Sequence, residues 1–182
     1  MLANTYRRQL HERALDRYGY VTTRDAADLG IPPVELRKLA ERGGLTHVAR
    51  GVFRFDDIPP TGREPFMEAV LRVGDGAFLT ADAVLALHDL GLVNPRRIRV
   101  GTPNRVRAAL PATVEMVRRH LEPGELTEVE GIPATTLARA LLDARGLVMR
   151  ERLIDAAREA VRRGLLLRVE GERVVGELED GT

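Results

Sequence analysis

Residues 21–55 read VTTRDAADLGIPPVELRKLAERGGLTHVARGVFRF, and this stretch decides the fold of the first part of the chain. It opens with Thr22 and Thr23, whose hydroxyl groups can cap the start of a helix. Asp25 follows Thr22 by three residues, which is the spacing of a capping box. Gly30 then supplies a stop, because glycine adopts a positive φ without a steric penalty. The pattern therefore predicts a short helix between these capping threonines and Gly30.

A second helix is predicted over residues 33–42. Pro33 suits its first turn, where a missing N–H has no consequence, and two glycines follow its end. At 100° per residue Leu36, Leu39 and Ala40 share one face, which we assign to the core. The opposite, outward face carries Val34, Arg37, Lys38, Glu41 and Arg42.

Two β-rich segments come next, at residues 45–48 and 52–55, joined by a turn with Arg50 at its tip. A tight pair of helices followed by such a hairpin is the order of a winged helix-turn-helix, whose second helix docks in the major groove of DNA. The alternative is a helical hairpin and a strand pair that only pack against each other. On the first interpretation we expect DNA contacts from Thr23, Arg24, Val34, Arg37, Lys38 and Arg50.

Composition excludes several classes of function. The chain of 182 residues has neither cysteine nor serine, so disulfides, thiolate metal sites and serine or cysteine nucleophiles are excluded. The four histidines lie far apart, outside any metal-binding spacing, and we expect no metal, no cofactor and no enzymatic activity. No apolar run approaches membrane-spanning length and no signal peptide is evident, which predicts a cytoplasmic protein without a membrane partner.

Positive charge is concentrated in a second zone. Residues 94–120 contain seven arginines and one acidic residue, whereas the whole chain has a net charge of +1. Arg97 and Arg99 alternate with Ile98 and Val100, so they are predicted to share one face of a strand. This face is either a solvated strand surface or a second electropositive surface for an acidic partner, which would comprise Arg97, Arg99, Arg105 and Arg107.

The predicted fold class is α+β, with an N-terminal winged helix-turn-helix followed by a mixed α/β domain. A first helix is expected over residues 3–18, and the proline-rich segment DDIPPTGR marks a linker. We therefore predict a DNA-binding domain at 1–57, a linker at 58–64 and a second domain at 65–182. The second domain is expected to contain helices at 65–73, 81–90, 137–145 and 150–163, three strands between residues 98 and 130, and a C-terminal hairpin turning at 170–172.

Four segments follow one another along residues 18–165, namely LTHVARGVFRF, FLTADAVLALHDLGL, RRIRVGTPNRVR and VEGIPATTLARALLDA. Together they resemble the AbiEi-type antitoxins of type IV toxin–antitoxin systems. In that family a winged-helix domain precedes an α/β domain with a Gly-Ile-Pro-x-Thr-Thr segment, which residues 131–136 match. The resemblance implies a mixed α/β antitoxin domain at 65–182.

The resemblance further implies a transcriptional autorepressor whose partners are its own operator DNA and a nucleotidyltransferase toxin. The alternative function is a protein-inhibitor antitoxin that binds the toxin directly through its second domain, with DNA binding secondary. Because one winged helix buries limited surface, we expect two copies on DNA, from a monomer or weak homodimer in solution. Helices at 137–145 and 150–163 are the candidates for pairing, unless their apolar residues only cover the sheet.

Overall fold

The computed structural model describes residues 2–106 and 109–180. These residues form α-helices and two β-sheets, which confirms the predicted mixture of helices and strands. The chain divides between Arg72 and Val73 into two compact units. Within the described ranges, no helix is both long and apolar enough to cross a membrane.

The first unit combines four helices with a three-stranded antiparallel sheet. The sheet has the order β1-β3-β2, so the central strand β3 joins the hairpin to the short first strand. In chain order the elements are α1 (Leu2–Leu15), β1 (Tyr20–Thr22), α2 (Thr23–Asp28), α3 (Val34–Glu41), β2 (Leu45–Ala49), β3 (Val52–Phe55) and α4 (Glu64–Val73).

The start of α2 has the capping box that the sequence predicts. The Thr22 hydroxyl accepts from the backbone N–H of Asp25 at 3.1 Å, and the Asp25 carboxylate accepts from the backbone N–H of Thr22 at 2.8 Å. Two otherwise unpaired helix N–H groups are thereby satisfied. Gly30 has a φ of 67° just past the end of α2, as its role as a stop requires. Local sequence signals therefore set both ends of this helix.

One hydrophobic core holds the first unit together. Leu36 and Leu39 of α3 are 0% and 7% exposed and point into it, and Ala40 packs at its edge, as the helical periodicity predicts. Leu10 of α1 and Phe53 of β3 are buried in the same cluster. Since α3 uses one face for this core, its other face remains on the surface.

Helix α4 is tied to the first unit by two side chains. The Tyr20 hydroxyl on β1 donates to Glu68 at 2.7 Å, and the Arg72 guanidinium donates to the carbonyl of Val48 on β2 at 2.9 Å. Our sequence-based boundaries placed this helix in the second domain. The domain limits at 57 and 65 remain a prediction. They differ from the compact units in α4, which lies almost wholly in the first unit.

The hydroxyl of Tyr20 gives a prediction for alkaline stability. Burial and the hydrogen bond to Glu68 raise the pKa of Tyr20 above its ordinary value near 10. The folded protein therefore keeps this proton where the unfolded chain loses it, and stability falls as pH rises above about 10. We expect the melting temperature, measured between about pH 8 and 11, to decrease less steeply with pH for Tyr20→Phe than for the wild type. If the control Tyr6→Phe reduced the pH dependence of the melting temperature equally, Tyr20 would not be its source.

The second unit is built on a five-stranded mixed sheet of order β6-β5-β4-β8-β7. Strand pairs β5–β6 and β4–β8 are parallel, while β4–β5 and β7–β8 are antiparallel. Its elements are β4 (Phe78–Leu79), α5 (Asp82–Leu87), β5 (Ile98–Thr102), β6 (Val114–Arg118), β7 (Leu126–Val129), β8 (Ile132–Thr135), α6 (Leu137–Asp143), α7 (Arg150–Arg162) and α8 (Arg168–Asp180).

The C-terminal segment is a helix, so the predicted hairpin with a turn at 170–172 is wrong. Gly171 lies inside α8, where a Cβ would come within 2.3 Å of Val161 on α7. The glycine thus allows close helix packing instead of forming a turn. Val174 and Leu178 continue the buried face at helical spacing. The exposed face carries ion pairs at i,i+4, between Arg168 and Glu172 and between Arg173 and Glu177.

Candidate nucleic-acid interface

The outward face of α3 is the first part of the candidate interface. Val34 is 50% exposed, and the side chains of Arg37 and Lys38 are also exposed. Leu36 and Leu39 anchor the opposite face in the core, which fixes the rotation of the helix. Helix α3 therefore presents Arg37 and Lys38 to solvent from a rigidly packed element.

The tip of the β2–β3 hairpin is the second part. Arg50 is exposed at this tip, next to Gly51, whose φ is 72°. The backbone N–H of Thr23 donates to the carbonyl of Gly51 at 2.9 Å. A Cβ at position 51 would lie 2.9 Å from the Thr23 hydroxyl, so only glycine allows the hairpin to approach this closely. The contact fixes the hairpin tip against the start of α2.

Strand β2 is irregular next to the tip. Its register with β3 shifts between His47 and Ala49, which is the mark of a β-bulge. Arg72 of α4 donates to the carbonyl of Val48, the residue within this irregularity. The Arg72 side chain therefore binds the backbone at the point where the strand register shifts.

These parts surround a groove of about 470 Å³. Three of the six residues predicted to contact DNA line it, namely Thr23, Arg37 and Arg50. His47 lies on the same groove with its ring 4.9 Å from that of Phe53, centroid to centroid. His47 is not among the six predicted contact residues, although its place in the hairpin, three residues before the tip, indicates a position near Arg50. The remaining lining residues are Ala40, Glu41, Gly51 and Phe53.

The electrostatics of the groove suit an anionic ligand. Within residues 2–106 and 109–180, neither Arg37 nor Arg50 has an acidic side chain within ion-pair distance. An unpaired guanidinium offers up to five N–H donors, which can bind phosphate oxygens or the edge of guanine. Glu41 lines the same wall and partly offsets this positive charge.

The other three predicted contact residues lie outside the groove lining. Lys38 forms an ion pair with Glu35 of the same helix at 2.8 Å. Ion pairs between exposed side chains contribute little to folding stability. Val34 is exposed at the first turn of α3, and Arg24 is exposed on α2. The structure therefore brings together Thr23, Arg37 and Arg50 and places the other three around them on the first unit.

A buried carboxylate supports the start of α2. Asp25 is 3% exposed and accepts from an Arg17 guanidinium N–H at 2.9 Å and 3.1 Å. Arg13 Nε of α1 lies 3.5 Å from the same carboxylate, so one arginine of α1 and one from the turn after it converge on Asp25. Because Asp25 also caps α2 through Thr22, it joins α1 to the helix that holds the hairpin tip.

The second basic surface is smaller than the sequence predicts. Arg99 is only 13% exposed, and it binds Asp82 at 2.5 Å and Glu115 at 2.9 Å. Burial lowers the pKa of Arg99, but the two carboxylates outweigh this effect and leave it raised. Arg97 and Arg105 are exposed, and Arg107 lies outside the described residues. Arg99 therefore belongs to an internal ion-pair network and is not part of an open electropositive face.

Comparison with known proteins gives one family match. Residues 8–55 match the model of a family described as transcriptional regulator, AbiEi antitoxin. This confirms the AbiEi resemblance for that segment, which runs from α1 to the end of β3 and contains the whole groove lining. Comparison with the curated proteins gives no match.

One solved structure is similar over most of the chain. It is the crystal structure of the RV2827C protein from Mycobacterium tuberculosis, with 18% sequence identity. The alignment covers 95% of this chain and 81% of that chain, with a TM-score of 0.40. A likeness of this size supports no conclusion about this chain.

Proposed function

We propose that the chain is a DNA-binding transcriptional regulator that acts as the antitoxin of a toxin–antitoxin pair. The observation that carries the proposal is the groove between α3 and the hairpin tip, with two arginines that lack acidic partners among the described residues. It lies wholly within the segment that matches the AbiEi regulator family. Chain order supports the same proposal, because two short helices and a β-hairpin follow one another as in a winged helix-turn-helix.

In this proposal α3 is the recognition helix and the β2–β3 hairpin is the wing. The helix would enter the major groove, with Arg37 toward base edges and Val34 near a thymine methyl group. The wing would cross a backbone or minor groove and place Arg50 against phosphate. Helix α3 has no amide side chain, so it cannot read adenine through a bidentate amide, and we expect a preference for G·C pairs.

The proposed partners are operator DNA upstream of the chain's own coding sequence and a nucleotidyltransferase toxin. The toxin class rests on the resemblance of the four sequence segments to AbiEi-type antitoxins. Function on DNA also implies a cytoplasmic site of action, and no enzymatic step is part of the proposal. The direct-inhibitor alternative would use the second unit, where Arg97 and Arg105 are its exposed candidates.

Fluorescence anisotropy tests the regulator proposal directly. The full chain is titrated into a labelled fragment of its own upstream DNA and into a scrambled fragment of equal length. We expect tighter binding to the upstream fragment by at least about a thousandfold, the lower range for specific over non-specific DNA affinity. Equal affinity for both fragments at every salt concentration would overturn sequence-specific regulation by this chain.

A toxicity assay in cells separates the two antitoxin mechanisms. The chain and the product of the neighbouring gene are expressed from unrelated promoters, so that autorepression cannot affect toxin supply. If protection comes from repression, the wild type then fails to protect cells. If protection survives, and also survives Arg37→Ala with Arg50→Ala, the direct-inhibitor function replaces the proposed one.

Substitution of Arg37 is expected to weaken sequence-specific binding. A base contact by arginine typically contributes about 1–3 kcal/mol, so the dissociation constant for Arg37→Ala should rise on the order of tenfold to a hundredfold. Binding to the scrambled fragment should change much less, since only the readout contact is lost. Arg152→Ala removes the same charge from an exposed position of the second unit and serves as the control. Parallel losses on both fragments would contradict base readout by Arg37.

Substitution of Arg50 is expected to act through phosphate. Loss of one phosphate contact makes the slope of log K against log salt shallower by about 0.9. Affinity should therefore fall to a similar degree on upstream and scrambled DNA for Arg50→Ala. Arg50→Lys keeps the charge and should retain the slope. A wild-type slope in Arg50→Ala would show that the hairpin tip does not neutralise a phosphate.

A further inference from the structure

The second unit has a surface groove between α7 and α8, with a volume of about 490 Å³. Small and apolar side chains form its floor, including Ala157 and Val161 from α7 and Val175 from α8. Beside it, Leu167 directly before α8 and Val169 in the first turn of α8 are 75% and 78% exposed. Apolar surface of this kind, rimmed by charged residues, is typical of a protein interaction site.

Two glycines of α8 line this groove, and the structure explains only one of them. A Cβ at Gly171 would lie 2.3 Å from Val161, so close helix packing requires that glycine. A Cβ at Gly176 would meet no atom within 4 Å among the described residues. Glycine in a helix interior destabilises the helix relative to alanine. No contact among the described residues requires this glycine, and the absence of a Cβ leaves room in the groove for another backbone.

Charge on the two rims indicates what approaches. The α7 rim carries Arg158 and Arg162, whereas the α8 rim carries two acidic residues, Glu172 and Glu179, and one basic residue, Arg168. A two-fold axis along the groove places the α7 rim of one copy over the α8 rim of another. Gly171 lies beside Val161, so Arg162 and Glu172 stand at the same level of the groove and face each other across such an axis. The surface is thus complementary to itself.

We propose that the α7–α8 groove is a homodimer interface, in which two copies of the chain form a four-helix contact about a two-fold axis. Arg158 and Glu179 are 4.0 Å apart within one chain, and Arg168 binds Glu172 at 2.8 Å. These exposed intrachain pairs are weak and can exchange for pairs between copies. The proposal uses only the second unit and is independent of DNA binding by the first.

Gly176 allows a test with opposite effects on stability and association. Sedimentation of the full chain over a concentration series is compared for the wild type, Gly176→Gln and the exposed control Arg173→Gln. Gly176→Gln should raise the melting temperature of dilute protein, because helix propensity improves, and should weaken self-association on the order of tenfold or more. A wild type that stays monomeric overturns the proposal, as does a more stable Gly176→Gln variant with unchanged self-association.

Charge exchange tests the pairing between copies. Arg162→Glu and Glu172→Arg each place two like-charge contacts in the proposed dimer and should weaken self-association on the order of tenfold. A mixture of the two single variants should form a heterodimer with restored affinity, because each charge then meets its opposite. Circular dichroism confirms that both variants are folded. Absence of preferential heterodimer formation, with both variants folded, overturns the two-fold arrangement.

Discussion

Asp25→Ala is expected to lower the free energy of unfolding of the first unit by about 3–4 kcal/mol. The carboxylate is 3% exposed and holds the backbone N–H of Thr22 at 2.8 Å and an Arg17 guanidinium at 2.9 Å. Its removal leaves a helix N–H and a partly buried arginine without their acceptor, and an orphaned buried partner costs more than the pair itself contributes. Urea denaturation measures the loss as a lower midpoint at constant m value.

Asp28→Ala is the matched control for this substitution. Asp28 lies on the same helix, is exposed and has no ion-pair partner among the described residues, so the change should stay within about 0.5 kcal/mol. Because the start of α2 also carries Thr23, which binds the hairpin tip, Asp25→Ala should weaken DNA binding as well. A loss of stability below about 1 kcal/mol would show that Asp25 does not join α1 to α2 as its contacts indicate.

The first unit could be predicted from sequence because its signals are local. The capping box of Thr22 and Asp25, the stop at Gly30 and the Leu36–Leu39 spacing each act within a few residues, and the structure contains all of them. Strand β1 was not predicted, since three residues have no period to detect. It is a strand only because β3, some thirty residues later, supplies its hydrogen-bond partner.

The second unit was harder to predict because its decisive contacts are distant in sequence. Strand β8 contains Pro133, which usually argues against a central strand, yet it pairs with β4 and β7. Gly171 was predicted to lie in a turn, but it is a glycine because Val161 of α7 packs against it. Secondary-structure propensity depends on residues within one segment, so it does not account for tertiary contacts from distant segments that override it.

The same distinction applies to the candidate interface. Arg37 and Arg50 were predicted from helix periodicity and from a hairpin tip, both local features, and they line one groove. Arg99 was predicted from strand alternation to share a face with Arg97, either a solvated strand surface or an electropositive one. Its partner Asp82 stands on α5, seventeen positions earlier in the chain, and no pattern in the strand indicates it. The net charge of a sequence segment is thus a weak predictor of the charge on the protein surface.

Gly101→Ala is expected to destabilise the second unit by about 3 kcal/mol. Gly101 on β5 is the register partner of Phe78 on β4, and the aromatic ring lies over the glycine. An added Cβ would stand 2.3 Å from Phe78 Cε2 and 2.6 Å from Cζ. Phe78 is 3% exposed, so its ring cannot swing into solvent and the strands must move apart instead.

A double-mutant cycle checks this close approach. Phe78→Leu alone removes buried aromatic surface and is destabilising, but it also removes the ring atoms that an alanine at position 101 would meet. The double variant should therefore lose less stability than the sum of the two single losses, with a coupling of about 1 kcal/mol or more. Denaturant unfolding of all four proteins gives this coupling. Strictly additive losses would mean that Gly101 is required for a reason other than the Phe78 ring.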